Sequence, residues 1–549
     1  MKTIKANYVD IIGKQIFPAI ISYSKTIVNI ERVGESVDNS LPYCMPGFID
    51  SHVHIESSML NPQNFARMIV SFGTIAAVCD PHEIANVLGR DGVEYMMNDA
   101  RKSPLKLFFA LPSCVPSTPF ETNGAQFDYK EIDSLMHRSV ALAELMNYPG
   151  LVGGDPIVLK RVAMAKKHHR PIDGHIPAIS GDVLRKYIAH GVSTDHECFT
   201  LDEAKEKISL GMKIIIRDGS AARNLDALFP LFFSNIDEIM VCTDDAHPDD
   251  ILMRGHINKF YDYALAHGVS IFDVYRPLLL NPINHYKLRV GRLQVGDRAD
   301  FIISDTLEKI NLRSVIIEGQ TVFDNGEATF KCSHASRPNK FVSSTFTPSD
   351  FMVHTPTDNP TLRVIEAIDT QLVTNEFRWS PILSKGSEVV SSDENDIVKI
   401  AIINRYSYSN TPVVNGFIRG TGLKRGAIAS SVAHDSHNVV IIGHDSMSMS
   451  RVANEIFRLH GGIVATLPDG TLRSIKLPIG GLMVSKDWRL LAKQYIRMVD
   501  IAHSQCGTTL TSPFMTMAFM SLFVIPKIKI GDRGLFDVEK FQFTDLFVG

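Results

Sequence analysis

Between Pro46 and about Lys287, eight short β-rich runs alternate with amphipathic stretches long enough to be helices, and this alternation constrains the chain more than any other feature. The runs are Gly47 to His54, Thr74 to Asp80, Leu105 to Leu111, Val140 to Met146, Pro171 to His175, Gly191 to His196, Met212 to Arg217 and Glu238 to Asp244. Helix-like segments follow them, among them Pro62 to Phe72, His82 to Lys102, Ile157 to His168, Asp202 to Leu210 and His256 to His267. Eight βα units in succession predict an α/β fold, a parallel sheet closed into a (β/α)8 TIM-type barrel. In such barrels the chemistry sits where the strands end at their C-terminal face, so polar residues at those ends carry the most weight.

At 549 residues the chain is too long for one hydrophobic core. Residues 1–45 alternate polar and apolar in short pieces, and Gly291 to Phe330 has the same texture, with Asn325-Gly326 as a strong hairpin turn. One small β-sandwich domain built from both flanks, 1–45 with 290–334, is therefore expected around a barrel of 46–289. Residues 335–360, rich in Ser, Thr, Pro, Asn and Asp, read as a linker that opens a third, α+β unit over 335–549. That unit mixes strands (Ile397 to Ile403, Gly426 to Val432, Val439 to Ile442) with helices (Ser450 to His460, Ser485 to His503).

Lysine plus arginine (56) nearly balances aspartate plus glutamate (60) without a long basic run, which leaves no footprint for nucleic acid and points to a small substrate. Seven dispersed cysteines without a C-x-x-C pair suit reduced thiols in a cytosol. The N-terminus lacks a signal-type apolar core, and the most apolar tract, Phe514 to Ile525, is too short to cross a bilayer. A cytoplasmic chain with no membrane partner is expected.

His52 and His54 stand two apart on the first run, so their side chains share one face about 6.5–7 Å apart and can converge on one ion. Glu144 ends the fourth run, His175 the fifth, His196 the sixth and Asp244 the eighth. Each alone has an ordinary reading, since a strand-end acid often caps the next helix. Together they make a metal set of nitrogen and oxygen donors without thiolate, which favours Zn, Mn or Fe. Six donors exceed one tetrahedral site, so two ions bridged by Glu144 and a hydroxide fit them better. Metal binding can bring the pKa of water from 15.7 to about 7, roughly 12 kcal/mol toward a nucleophile at neutral pH.

Other positions divide more evenly between structure and chemistry. Asp80-Pro81-His82-Glu83 reads first as a capping-box helix start, with His82 free to face a substrate. Arg217 and Ser220 end the seventh run, where they can fix a ligand or simply build a loop. His434-Asp435-Ser436-His437-Asn438 reads slightly better as a polar turn than as a substrate contact or accessory metal site.

The sequence resembles the amidohydrolase superfamily and, within it, the adenine deaminase family. The resemblance rests on PGFIDSHVHIESSML (46–60), CDPHEIANVLG (79–89), LPSCVPSTPFETNGA (111–125), ALAELMNYPG (141–150), DGHIPAISG (173–181), STDHECFT (193–200), IIRDGSAARNL (215–225), CTDDAHP (242–248) and AHDSHNVVIIGH (433–444), and so covers nearly the whole chain. It implies hydrolysis of adenine to hypoxanthine and ammonia by a metal-bound hydroxide. His52 and His54 would hold one ion, His175 and His196 the second, Glu144 would bridge, and Asp244 would bind metal and carry the proton to ammonia. Many two-metal relatives bridge with a carboxylated lysine, and Glu144 in that place argues against a hydantoinase. The acid that protonates purine N1 is left open among Glu56, Glu83 and Glu121. The resemblance further implies two divalent ions, Mn2+ ahead of Fe2+ or Zn2+, and a homodimer. The alternatives are an amidohydrolase acting on another 6-substituted purine or a cyclic amide, and a catalytically silent barrel scaffold.

Overall fold

The computed structural model describes residues 1–548 except 221, 408–412 and 468. Eight parallel strands lie within the eight runs: Phe48–Val53, Thr74–Cys79, Lys106–Leu111, Ala141–Leu145, Ile172–Gly174, Thr194–Asp195, Lys213–Arg217 and Ile239–Cys242. The first five form one sheet and the last three another. Parallel bridges join these arcs, Ile172 to Val192 on one side and Val53 to Asp244 on the other, so the strands curl into the expected TIM-type barrel. At the second junction the Asp244 N–H bonds the His52 carbonyl (3.0 Å) and the His54 N–H bonds the Asp244 carbonyl (3.3 Å). Ring closure therefore sets the end of the last strand against the two histidines of the first.

The continuous apolar runs follow from burial on both faces; Ile214, Ile215 and Ile216 are all inaccessible. Helix starts follow local chemistry. Asp155 accepts the Ile157 N–H (2.7 Å) before a helix whose first residue is Pro156, and Asp128 with Glu131 makes a capping box. The single helix expected over His82 to Lys102 is instead two, His82–Leu88 and Arg90–Ala100. Gly89 breaks it at φ +61°, where a Cβ would come within 3.0 Å of Ala125 Cβ and the Gln126 carbonyl.

The flanks meet in one eight-stranded sheet: Tyr43–Pro46 pairs with Lys2–Asp10 on one side and with Phe301–Ser304 on the other. Asn325 and Gly326 (φ 45° and 92°) turn its last hairpin. The C-terminal part is built on a nine-stranded sheet. The helix Ser446–Leu459 covers one face of it through Met449, Val452 and Ile456, while Ile400, Ile402, Val440 and Ile442 on the other face join the barrel's apolar core. The segment 335–360 is not a free linker. Val342, Phe346 and Phe351 are buried against that same helix, with the Phe346 and Phe457 rings 4.8 Å apart. Its polar composition hid three apolar anchors. Among the described residues, no helix is long and apolar enough to cross a membrane, and the tract from Phe514 forms the short helix Pro513–Ala518 and the turn Phe519–Ser521.

Candidate metal centre and its roof

The barrel mouth holds two clusters that share one carboxylate. In the first, His52 Nε2 and His54 Nε2 lie 3.2 Å apart, and both face Asp244 Oδ1 at 3.3 and 3.0 Å. Glu144 Oε1 is 3.2 Å from His54 Nε2 and 3.9 Å from His52 Nε2. In the second, Glu144 Oε2 meets His175 Nδ1 at 2.7 Å and His196 Nε2 at 3.2 Å. Glu144 thus turns one oxygen to each histidine pair, and all six residues are at most 6% exposed.

This arrangement fits divalent cations. Ligand bonds of about 2.0–2.2 Å leave neighbouring donors roughly 3–3.5 Å apart, the spacing the first cluster shows. His54 Nδ1 donates to the Asp80 carbonyl at 3.1 Å, which fixes the ring and turns Nε2 inward. Two inward imidazole nitrogens 3.2 Å apart, with Asp244 Oδ1 and Glu144 Oε1 beside them, make a donor set that suits a shared cation. Burial would push Glu144 up, but His175, His196 and His54 outweigh it and hold the carboxyl well below the usual range. Asp244 is likewise held low, because Arg217 and His52 outweigh its burial. The same oxygens overcome burial at His196 and lift it to about 9, a field that favours any cation placed there.

The sequence-expected residues separate clearly around this centre. His82 faces a carboxylate on each side, with Nδ1 3.0 Å from Asp80 Oδ2 and Nε2 3.3 Å from Glu83 Oε1. Arg217 lines the cavity but commits its donors to carboxylates: Nη1 and Nη2 reach Glu197 at 2.6 and 3.0 Å, and Nη1 also contacts Asp244. Ser220 stands outside, its Oγ accepting the His247 N–H at 2.8 Å. Glu121 is drawn to Ser117 and Thr118 in a neighbouring cleft, at 3.4 and 3.3 Å. Glu56 accepts the Ile84 N–H at 3.1 Å and so caps the helix His82–Leu88. Burial lifts its carboxyl to about 7, yet it does not line the cavity.

The capping-box reading of Glu83 fails. Its carboxylate leaves its own helix and is gripped by the C-terminal turn, Oε1 by His434 Nδ1 and Oε2 by His437 Nε2, each at 2.5 Å. The Ala433 N–H donates to His437 Nδ1 at 3.2 Å, so the neutral His437 ring presents Nε2–H to Glu83. Burial pushes His437 down to about 4 and keeps it neutral. Burial also lowers His434, but the carboxylates of Glu83 and Asp245 outweigh it and bring that imidazole to about 9. Glu83, despite burial, is held ionised chiefly by His434, His82 and His437. The turn read as slightly favouring structure is thus part of the roof, with Asp435 Oδ1 3.9 Å from His82 Nε2. Sequence reasoning passed over Glu197 and Asp245, read Asp80 only as a helix cap, and weighed Asp435 with its turn slightly below structure; Glu197, directly after His196 in STDHECFT, was the most findable.

A pH test follows from His434. Its folded pKa lies above the ordinary 6.5, so its contribution to stability is full below about 6.5 and is lost as pH rises through about 9. The melting-temperature difference between wild type and His434→Gln should therefore be largest near pH 6 and should shrink by pH 10. A difference constant across that range would contradict the assignment.

The sequence profile of the amidohydrolase family matches residues 43–322, and that of the adenine deaminase C-terminal domain matches residues 371–542. The chain is 43% identical to an adenine deaminase of Methanosarcina mazei over the full length of both. It is 43% identical to that of Salinibacter ruber, over 100% of this chain and 99% of the relative. The adenine deaminase of Borreliella burgdorferi is 42% identical over 99% of each chain.

Proposed function

Because the chain belongs to the adenine deaminase family of the amidohydrolases, we propose that its buried site hydrolyses adenine to hypoxanthine and ammonia. The observation that carries this is Glu144 with one oxygen toward His52/His54 and the other toward His175/His196, beneath a roof supplied by the adenine deaminase C-terminal domain. In this reading His52, His54 and Asp244 hold one divalent ion, His175 and His196 the other, and Glu144 both. A nitrogen and oxygen donor set suits Zn2+, Mn2+ or Fe2+, and the family resemblance puts Mn2+ first among them. When bound, such ions lower the pKa of water enough to supply a nucleophile at neutral pH.

The chain's own groups then divide the proton work. Asp244 is the carboxylate between the histidine pair and Arg217, placed to take the proton from the attacking water and return it to the departing amine. Glu83, the one N1-acid candidate that lines the cavity, shares a hydrogen bond with the protonated His434. Their common proton is the one we assign to purine N1, and the proton left on the C6 hydroxyl returns to them as the carbonyl of the product forms. Glu197 and Arg217 brace Asp244, and the low pKa this imposes keeps it a carboxylate before reaction.

The test compares adenine with adenosine on metal-loaded protein, following ammonia. Free base should turn over and nucleoside hardly at all, and Glu83→Gln should cost about 10²-fold in kcat with metal content intact. Equal turnover by Glu83→Gln would remove Glu83 from the chemistry.

The same reading divides the chain into a small β-domain formed by 1–45 and 290–334, a barrel of 46–289 and an α+β unit of 335–549. A cytoplasmic homodimer belongs to it as well; the seven unpaired cysteines suit a reducing compartment, and light scattering tests the dimer.

A further inference from the structure

Lys529, in the strand Ile528–Gly531, is fully buried, and its Nζ donates to the Leu372 carbonyl at 2.8 Å and the Phe519 carbonyl at 3.1 Å. Among the described residues the partners of Nζ are these two carbonyls, with no carboxylate in ion-pair contact. An ammonium withdrawn from water without a counter-ion costs stability, and burial alone pushes this one down to about 7. A methionine of similar length would fill the space at lower cost, so packing does not explain the residue.

What its two acceptors share is where their side chains go. Leu372 and Phe519, nearly 150 residues apart in the chain, both line the cavity over the metal centre, beside Leu522 and Ile525. The barrel side of that cavity is imidazole, carboxylate and the Arg217 guanidinium apart from Met146, so these four supply most of the apolar side chains that face a flat aromatic ring there. Phe519 is also fixed to the polar side, its ring stacked on His434 at 4.4 Å and 8°. Lys529 therefore ties together, from outside the cavity, the two backbone segments that carry its apolar wall.

We propose that Lys529 is a positioning residue for adenine binding: by pinning the Leu372 and Phe519 carbonyls it sets the wall that packs against the purine face, without touching substrate itself. This rests on the adenine reading of the site. The experiment is steady-state kinetics with adenine on full-length, metal-loaded wild type and Lys529→Met. The expected result is a KM raised about tenfold or more with kcat within about threefold, the signature of lost binding common to ground and transition states. Metal content should match wild type, and the melting temperature should hold or rise. Should Lys529→Met fail to fold, Lys529→Gln, which keeps donors on a shorter arm, is read in the same way. A folded variant with wild-type KM, or one in which kcat and metal content fall together, overturns the proposal. Failure of both variants to fold assigns the lysine to stability and overturns it too. A wild type that leaves adenine intact overturns the underlying reading instead.

Discussion

Glu144→Gln is expected to lower kcat for adenine by at least about 10³-fold, the scale on which losing a preorganised ionic group in a dry site is felt. The substitution keeps the volume but turns one oxygen into an amide nitrogen that donates and cannot ligate. Because Oε1 faces His54 and Oε2 faces His175 and His196, either orientation of the amide deprives one histidine pair of its carboxylate. The amide is also neutral, so the charge that offsets two cations falls by one. Elemental analysis should therefore show bound metal dropping from two ions per chain to one or fewer. An active Glu144→Gln protein with two ions would break the assignment of Glu144 as the shared ligand.

Asp244→Asn should be nearly as damaging, about 10³–10⁴-fold in kcat, but by another route, since acid–base groups contribute on that scale. Asparagine keeps an oxygen for the His52/His54 side, so metal content should stay close to wild type. It cannot hold a proton in transit, and its amide would meet the Arg217 guanidinium donor to donor. Backbone strain is not a confounder: Asp244 sits at φ +55°, a left-handed conformation that asparagine tolerates well among non-glycine residues. Metal loss in Glu144→Gln and metal retention in Asp244→Asn would separate ligand from proton carrier. If both variants lost metal equally, the proton role of Asp244 would have no support left.

Much of this was legible in the sequence because it depends on local periodicity. All eight barrel strands fall inside the runs marked by β-rich composition, and strand ends alone were enough to nominate His52, His54, Glu144, His175, His196 and Asp244. What escaped depends on contacts between distant segments. Asp80-Pro81-His82-Glu83 has the local signature of a helix cap, yet Glu83 is claimed by His434 and His437, some 350 positions later. Tertiary pairing overrode the local signal. Arg217 stood at a strand end suited to substrate, but the carboxylate of Glu197, one strand away, takes its fork. The apolar wall of Leu372, Phe519, Leu522 and Ile525 had no signature beyond hydrophobicity, and the tract from Phe514 was weighed only as a membrane segment. The polar stretch 335–360 hid Val342, Phe346 and Phe351, whose burial becomes visible only once the helix Ser446–Leu459 is in place.

The most direct measurement is a Mn2+ titration of metal-stripped protein, with ammonia release from adenine as the readout. Six donors arranged around one shared carboxylate predict a rate that climbs until about two equivalents per chain are bound and then levels off. Full activity in metal-free protein, or fully loaded protein that leaves adenine unchanged, would contradict the account.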